Sequence, residues 1–341
     1  MVIRRFRGTV KATRPALLLA GDVGATKTNL ALFTDAGEVL TPVAEAHFVN
    51  DGYAGLEDIV RAFLAREGCV PTAACFGVAG PVADGRSRMP NLGWQIGALG
   101  LGRLLALERV VLLNDLEATA YGIATLPPDQ LVVLNPGVSV TGGNAALIAA
   151  GTGLGEAVLY WDGTRHRVSG SEGGHADFAP GNVEEMQILA RLMERFGHVS
   201  WERLVSGPGL HNIYGALEMP EAPAVAPRIE AAEDASATIT ELGLNRTSAR
   251  CTRALDVFVS AYGAEAGNLA LKALATGGVY VGGGIAPKIL PKLEDGTFLR
   301  AFTAKGRFAD WLARIPVKVI LDPKTALRGA AAYLAGMEVR S

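Results

Sequence analysis

Three times in this chain an apolar stretch of strand length runs directly into a glycine-rich bend. Residues 16–20 lead into Gly21-Asp22-Val23-Gly24-Ala25-Thr26, residues 145–150 into Gly151-Thr152-Gly153-Leu154-Gly155, and residues 279–281 into Gly282-Gly283-Gly284-Ile285. After the first two bends a second apolar strand follows, at 29–33 and 156–161, so the unit strand, bend, strand occurs twice. A glycine lets backbone N–H groups approach an anion with no Cβ in the way, and a threonine adds a hydroxyl donor. None of the bends is a GxxxxGK[ST] phosphate loop or a GxGxxG dinucleotide fingerprint, and each taken alone reads equally well as a structural turn.

Strands alternate with helices around these bends. Leu56, Ile59, Val60, Phe63 and Leu64 follow helical spacing and predict a helix over 56–66. Strands are expected at 73–78 and 110–113, the latter ending at Asn114-Asp115, with a helix over 116–123. Strand, helix and strand in that order predict a parallel crossover sheet. After Leu126-Pro127-Pro128 a second half begins, with helices over 183–195, 208–217, 248–274 and 325–334 and a strand at 317–321. The Pro-, Ala- and Glu-rich stretch 219–234 reads as an exposed loop.

Composition narrows the class. A length of 341 residues suits two domains, and 49% hydrophobic against 19% charged residues excludes a disordered chain. A net charge of -2 leaves no basic field for nucleic acid or an acidic membrane. Cys69, Cys75 and Cys251 form no CxxC pair, and no apolar run approaches the ~18 residues that span a bilayer. Residues 1–15, with Arg4, Arg5, Arg7, Lys11 and Arg14, read as a disordered basic extension.

One acid raises the significance of the first bend. Asp22 beside a phosphate is repulsive unless a divalent cation lies between them. Asp115, directly after a strand, reads from its position alone as a helix N-cap, a functional acid, or both. His175 and Glu202, taken singly, read as ordinary surface residues.

The motifs in order resemble those of the sugar kinase, heat-shock and actin superfamily, and within it the bacterial glucokinase family. They are Gly-Asp-Val-Gly-Ala-Thr at 21–26, Gly-Val-Ala-Gly-Pro-Val at 77–82, Leu-Asn-Asp-Leu-Glu-Ala at 113–118 and Ala-Gly-Thr-Gly-Leu-Gly at 150–155. They continue with Ser-Glu-Gly-Gly-His-Ala-Asp-Phe-Ala-Pro at 171–180, Gly-His-Val-Ser-Trp-Glu-Arg at 197–203, Val-Ser-Gly-Pro-Gly-Leu at 205–210 and Gly-Gly-Gly-Ile-Ala-Pro at 282–287. Nearly the whole chain is covered. Two departures stand out: Ala25 replaces the glycine usual in the first loop, and no cysteine-rich zinc segment follows Glu172 and His175.

The resemblance implies two α/β domains of ribonuclease H-like, actin-like ATPase topology flanking a deep cleft. The smaller is expected over 16–126 plus 322–341, the larger over 127–321, with Leu126-Pro127-Pro128 and Asp322-Pro323 as hinge segments. It implies that Asp115 is the catalytic base and that Asn114, Asp115, Glu172, His175 and Glu202 hold sugar hydroxyls. ATP would meet Gly21, Asp22, Val23, Gly24, Ala25 and Thr26, then Gly151, Thr152 and Gly153, with Gly283 and Gly284 beside the adenosine. Mg²⁺ would sit against Asp22, through water. The implied activity is ATP-dependent phosphorylation of glucose at its 6-hydroxyl, in a cytoplasmic homodimer. The alternatives are a kinase of another hexose or of an amino sugar, a sugar-sensing regulator, and an actin-like ATPase. A regulator would need a helix-turn-helix ahead of the first strand, where residues 1–15 are expected to hold none.

Overall fold

The computed structural model describes residues 16–36, 39–89 and 92–336, so the expected basic extension at 1–15 lies outside the described residues. The described residues form two compact units, one within 16–113 and 330–336, the other of 114–329.

In the first unit, β1 (Ala16–Val23), β2 (Lys27–Asp35), β3 (Leu40–Val49), β4 (Ala73–Val78) and a later strand, Val110–Asn114, make one sheet. β1 pairs antiparallel with β2 and parallel with β4. The helix α1 (Leu56–Glu67) buries Leu56, Ile59, Val60 and Phe63, the expected stripe, and ends at Gly68 in the left-handed region with φ 62°. Their partners in the core include Leu19, Leu30, Leu32 and Phe76. A small sheet of β5 (Val82–Ala83), β6 (Arg86–Met89) and β7 (Trp94–Gly97) adds Met89, Trp94 and Ile96 to that core, and α2 (Ala98–Leu105) follows before β8 (Val110–Asn114).

The second unit opens with α3 (Asp115–Gly122) and builds its sheet from β9 (Leu131–Asn135), β10 (Ala145–Ala150), β11 (Leu154–Trp161), β12 (His166–Ser171), β13 (Gly278–Gly282) and β14 (Val317–Ile320). The strand order β12-β11-β10-β13-β14 repeats the order β3-β2-β1-β4-β8 of the first sheet, and β10 again pairs antiparallel with its successor and parallel with the strand after the crossover. Both units therefore have ribonuclease H-like topology. β9 is an addition on the outer edge, antiparallel to β14. The crossover carries α4 (Val183–Phe196), α5 (Gly207–Ala216), α6 (Val225–Glu230), α7 (Ala235–Leu244) and α8 (Ala249–Ala273). α8 is the core helix: Leu255, Phe258, Tyr262 and Leu269 are all buried, and the Tyr262 hydroxyl accepts from the Ala150 N–H at 3.2 Å. The short helices α9 (Leu290–Glu294), α10 (Thr297–Thr303) and α11 (Ala309–Leu312) precede β14, and α12 (Thr325–Ala335) closes the fold.

Three expectations need correction. The chain leaves the first unit after Leu113 and returns at Ala330, so Leu126-Pro127-Pro128 and Asp322-Pro323 both lie inside the second unit. The reason is local: α3 packs on β10, β11 and β12, and its Gly122 lies against α12, where a Cβ would come within 2.0 Å of the Thr325 carbonyl oxygen. The stretch 219–234 is not all loop, since α6 forms within it and buries Ile229 at 1% exposure. Asn114, not Asp115, is the N-cap of α3.

Candidate active site

In the first unit, the bend after β1 is held by Asn50, a residue the motif reading passes over. Asn50 is 2% exposed. Its side-chain amide donates to the Gly24 carbonyl at 2.9 Å, its side-chain oxygen accepts from Thr28 Oγ1 at 2.7 Å, and its backbone N–H donates to the Thr26 carbonyl at 2.9 Å. These bonds satisfy the Gly24 and Thr26 carbonyls and leave Ala25, Thr26 and Lys27 exposed. Ala25 is not among the residues with positive φ, so its methyl group meets no left-handed strain. Gly21 is a packing glycine, because a Cβ there would lie 2.4 Å from Phe76 Cδ1.

Asp22, Asn29 and His47 form one rank across β1, β2 and β3. Asn29 Nδ2 donates to Asp22 Oδ2 at 3.2 Å, and His47 Nδ1 lies 2.8 Å from Asn29 Oδ1. Burial pushes the Asp22 carboxyl above its ordinary value, and the Asn29 bond works against that. Among the described residues no three His, Cys, Asp or Glu side chains gather as a metal site. A single carboxylate fits Mg²⁺ whose other ligands are phosphate oxygens and water.

The expected sugar set lies wholly in the second unit. Asn114 caps α3 with a complete capping box: its Oδ1 accepts from the Leu116 N–H at 2.9 Å, and Glu117 Oε2 accepts from the Asn114 N–H at 3.1 Å. Asp115 is thereby fixed as the first helical residue, at the positive end of the helix, with its Oδ1 also 2.9 Å from the Leu116 N–H. Leu116 packs on Gly155 of β11 so closely that a Cβ there would lie 2.5 Å from Leu116 Cδ2.

The same end of β11 organises the other residues of the expected sugar set. The Leu154 N–H donates to Glu202 Oε2 at 2.9 Å. His175 lies between two carboxylates, with Nε2 3.8 Å from Glu172 Oε2 and Nδ1 4.0 Å from Glu202 Oε1. Glu172 precedes and His175 ends a 3₁₀ turn, Gly173–His175, in which the His175 N–H donates to the Glu172 carbonyl at 3.0 Å. The Trp201 N–H donates to the Ala176 carbonyl, and Phe178 meets Trp201 edge-to-face at 5.0 Å, so the turns bearing His175 and Glu202 share one buried support. The Glu172 side chain is 82% exposed and that of His175 61%, so both are open to a solute.

A separate cavity of about 830 Å³ in this unit is lined by Thr152, Pro208, Ser236, Gly284 and Lys288 among others. Two helix starts border it: α5, capped by Ser206, and α7, capped by Asp234. The first-turn N–H groups of α5 are already taken, Gly209 by Ser206 Oγ and Leu210 by the Ser206 carbonyl, while Pro208 has none. The Gly207 N–H donates to the Gly151 carbonyl at 2.8 Å, which fixes the second glycine bend against α5. Gly284 lines this space with nothing within 4 Å of where a Cβ would stand. Gly283 does not line it. It takes a φ of +84° and abuts the Ala150 carbonyl, 2.2 Å from a built Cβ, so its glycine is required by backbone packing. Gly153 likewise faces the Glu202 carboxylate, at 2.5 Å from a built Cβ. His211, Asp234, Ser236 and Thr240 line the cavity and carry no motif; the Asp234 cap ahead of α7 was their one signal in the sequence.

Comparison with known proteins gives the family and the fold. A family model described as Glucokinase matches residues 19–337. A glucokinase of Trichormus variabilis is 40% identical over 334 residues, covering 92% of this chain and 98% of that protein. One of Synechocystis is 39% identical, covering 92% and 96%. The crystal structure of a glucokinase from an Antarctic psychrotroph superposes with a TM-score of 0.83 at 30% identity, covering 94% of this chain and 99% of that one. A ROK family glucokinase from Streptomyces griseus, solved with glucose and AMPPNP, shares the fold at a TM-score of 0.64 and 21% identity, covering 93% and 99%. The chain belongs to the glucokinase family.

Proposed function

We propose that this chain, an ATP-dependent glucokinase by family, uses Asp115 as the base that accepts the proton of the glucose 6-hydroxyl. Asn114, Glu172, His175 and Glu202 hold the remaining hydroxyls. The observation that carries this reading is the gathering of Glu172, His175 and Glu202 within 4.0 Å contacts at the end of β11 on which Leu116 also packs. Ionised carboxylates accept several hydroxyl protons, while an amide and an imidazole supply donors, so the set matches a ring of hydroxyls. Losing one hydroxyl would leave a polar group unpaired, which is how such a site rejects other sugars.

A free aspartate with a reference pKa of about 3.9 is too weak to ionise an alcohol beforehand. Asp115 therefore orients the hydroxyl and takes its proton late, as the bond to phosphorus forms. The capping box of Asn114 holds Asp115 in place for this, and the oriented hydroxyl is where most of the rate gain arises. The cavity beside α5 and α7 takes the adenosine and its nearer phosphates, with Thr152 and Gly284 as its motif residues. Asp22 and Thr26 would hold Mg²⁺ and the terminal phosphates, and Mg²⁺ bound there would neutralise charge on the transferring group. A cytoplasmic homodimer completes the proposal; no helix among the described residues is long and apolar enough to cross a membrane.

A coupled assay across hexoses and phosphoryl donors tests the reading. Glucose with ATP should give the highest kcat/KM. Higher kcat/KM with glucosamine, with another hexose or with polyphosphate would reassign acceptor or donor.

A further inference from the structure

Beneath the sugar-binding turn lies a carboxyl group that the mechanism above does not use. Glu156 is the third residue of β11 and is 1% exposed. On one side its Oε2 supports the turn that carries Glu172 and His175: a Cβ on Gly173 would lie 2.0 Å from that oxygen. On the other side stands Glu265 of α8, 0% exposed, close enough for the two carboxyls to share a hydrogen bond. Glu156 Oε1 has no hydrogen-bond donor in the structure. Glu265 already receives Asn268 Nδ2 at 2.7 Å and Lys272 Nζ at 3.3 Å. Two buried carboxylate oxygens that face each other without a donor between them require a proton there.

We infer that Glu156 is a positioning residue for glucose binding, and that the proton it shares with Glu265 keeps the Glu172–His175 turn in its sugar-holding geometry. This rests on reading Glu172 and His175 as sugar ligands. With one proton, the pair carries a single negative charge, which the half-exposed Lys272 ammonium faces at 3.3 Å from Glu265 Oε1. Lys305, beside Glu265 and Lys272, and Ser171, opposite Glu156 in β12, are the other polar groups around it. Burial, with the Glu265 charge behind it, pushes the Glu156 carboxyl up to about 8. When the proton leaves, two like charges face each other in a dry space. Glu265 is held in α8 by Asn268 and Lys272, so the carboxylate that yields is Glu156. The Gly173 turn lies directly against it, and the turn shifts with Glu172 and His175 attached.

The test is the glucose KM as a function of pH for wild type, Glu156→Gln and Glu265→Gln, with glucose affinity by calorimetry alongside. In wild type, KM should rise at least about threefold between about pH 7 and about pH 9, with kcat changing less, as the pair ionises. Glu156→Gln has no proton to lose and should flatten that rise; Glu265→Gln should flatten it too, which covers the case in which one variant fails to fold. An alkaline rise of unchanged size in both folded variants would overturn the inference. Glu172→Gln in parallel separates the two ideas. If it leaves KM untouched the sugar-site reading fails; if it raises KM while the Glu156 and Glu265 variants keep the wild-type profile, only the proton-sharing role fails.

Discussion

The backbone N–H of Leu154 donates to the side chain of Glu202 at 2.9 Å, so a strand amide orients the carboxylate proposed to hold a sugar hydroxyl. A charge-assisted bond of this kind has two consequences that can be separated. Glu202→Ala leaves the Leu154 N–H without its acceptor and should cost about 1–3 kcal/mol of stability as well as glucose affinity. Glu202→Gln keeps an acceptor for that N–H but loses the ionised oxygen. It should restore most of the melting temperature while leaving KM for glucose raised about tenfold or more. If Gln restored both, the charge of Glu202 would have no part in sugar binding.

Asp115 and the other members of the set should separate kinetically. Asp115→Ala removes the proton acceptor and leaves Asn114, Glu172, His175 and Glu202 to hold the ring. Glucose binding by calorimetry should persist while kcat falls at least ~10²-fold. Abolished binding, or a kcat near that of wild type, would each take the base role away from Asp115.

Much of this arrangement is readable from the residues alone, and what is not has physical causes. The strand, bend, strand repeat places both sheets correctly, and the apolar spacing of α1 and α8 matches their buried faces. β3 escapes notice because only Ala44, Ala46 and Phe48 of its alternation pack on the core and Pro42 interrupts it. α6 is hidden behind a Pro-Ala-Glu composition that looks solvated, and α7, which follows that stretch unread, contributes part of the cavity wall. Among the glycines, the motif cannot distinguish one that opens space for a ligand, such as Gly284, from one that accommodates a neighbouring backbone, such as Gly283. Asn50 is likewise silent, because its role lies in bonds to a bend far away in sequence.

The crossing of α3 and α12 gives a stability prediction. A Cβ on Gly329 would lie 1.7 Å from the Ala118 carbonyl oxygen, and one on Gly122 would lie 2.0 Å from that of Thr325. Both obstacles are backbone, which cannot rotate away. Gly329→Ala and Gly122→Ala should each destabilise by about 1–3 kcal/mol or more, despite the better helix propensity of alanine, because the helices must separate. Gly215→Ala in α5, where nothing stands within 4 Å, is the matched control and should be neutral or slightly stabilising. Thermal melts that rank all three alike would contradict this account of the crossing.

The buried acid pair also predicts how stability changes with pH. Glu156 in the unfolded chain ionises near its ordinary value of 4.5, but in the folded protein only near 8. Between these values the folded state binds the extra proton, so stability is greatest at the acid end of the window and declines as pH rises toward about 8. Above that value both states are ionised and the contribution no longer changes. One proton corresponds to a slope of about 1.4 kcal/mol per pH unit at most, and other groups add slopes of their own. The informative quantity is therefore the difference between wild type and Glu156→Gln in denaturant unfolding across that range. The variant should lose less stability with rising pH, by up to about one proton's slope, and become the more stable of the two toward the alkaline end. Parallel curves for the two proteins would mean that the cluster carries no titrating proton, and would remove the physical basis for the alkaline rise in KM.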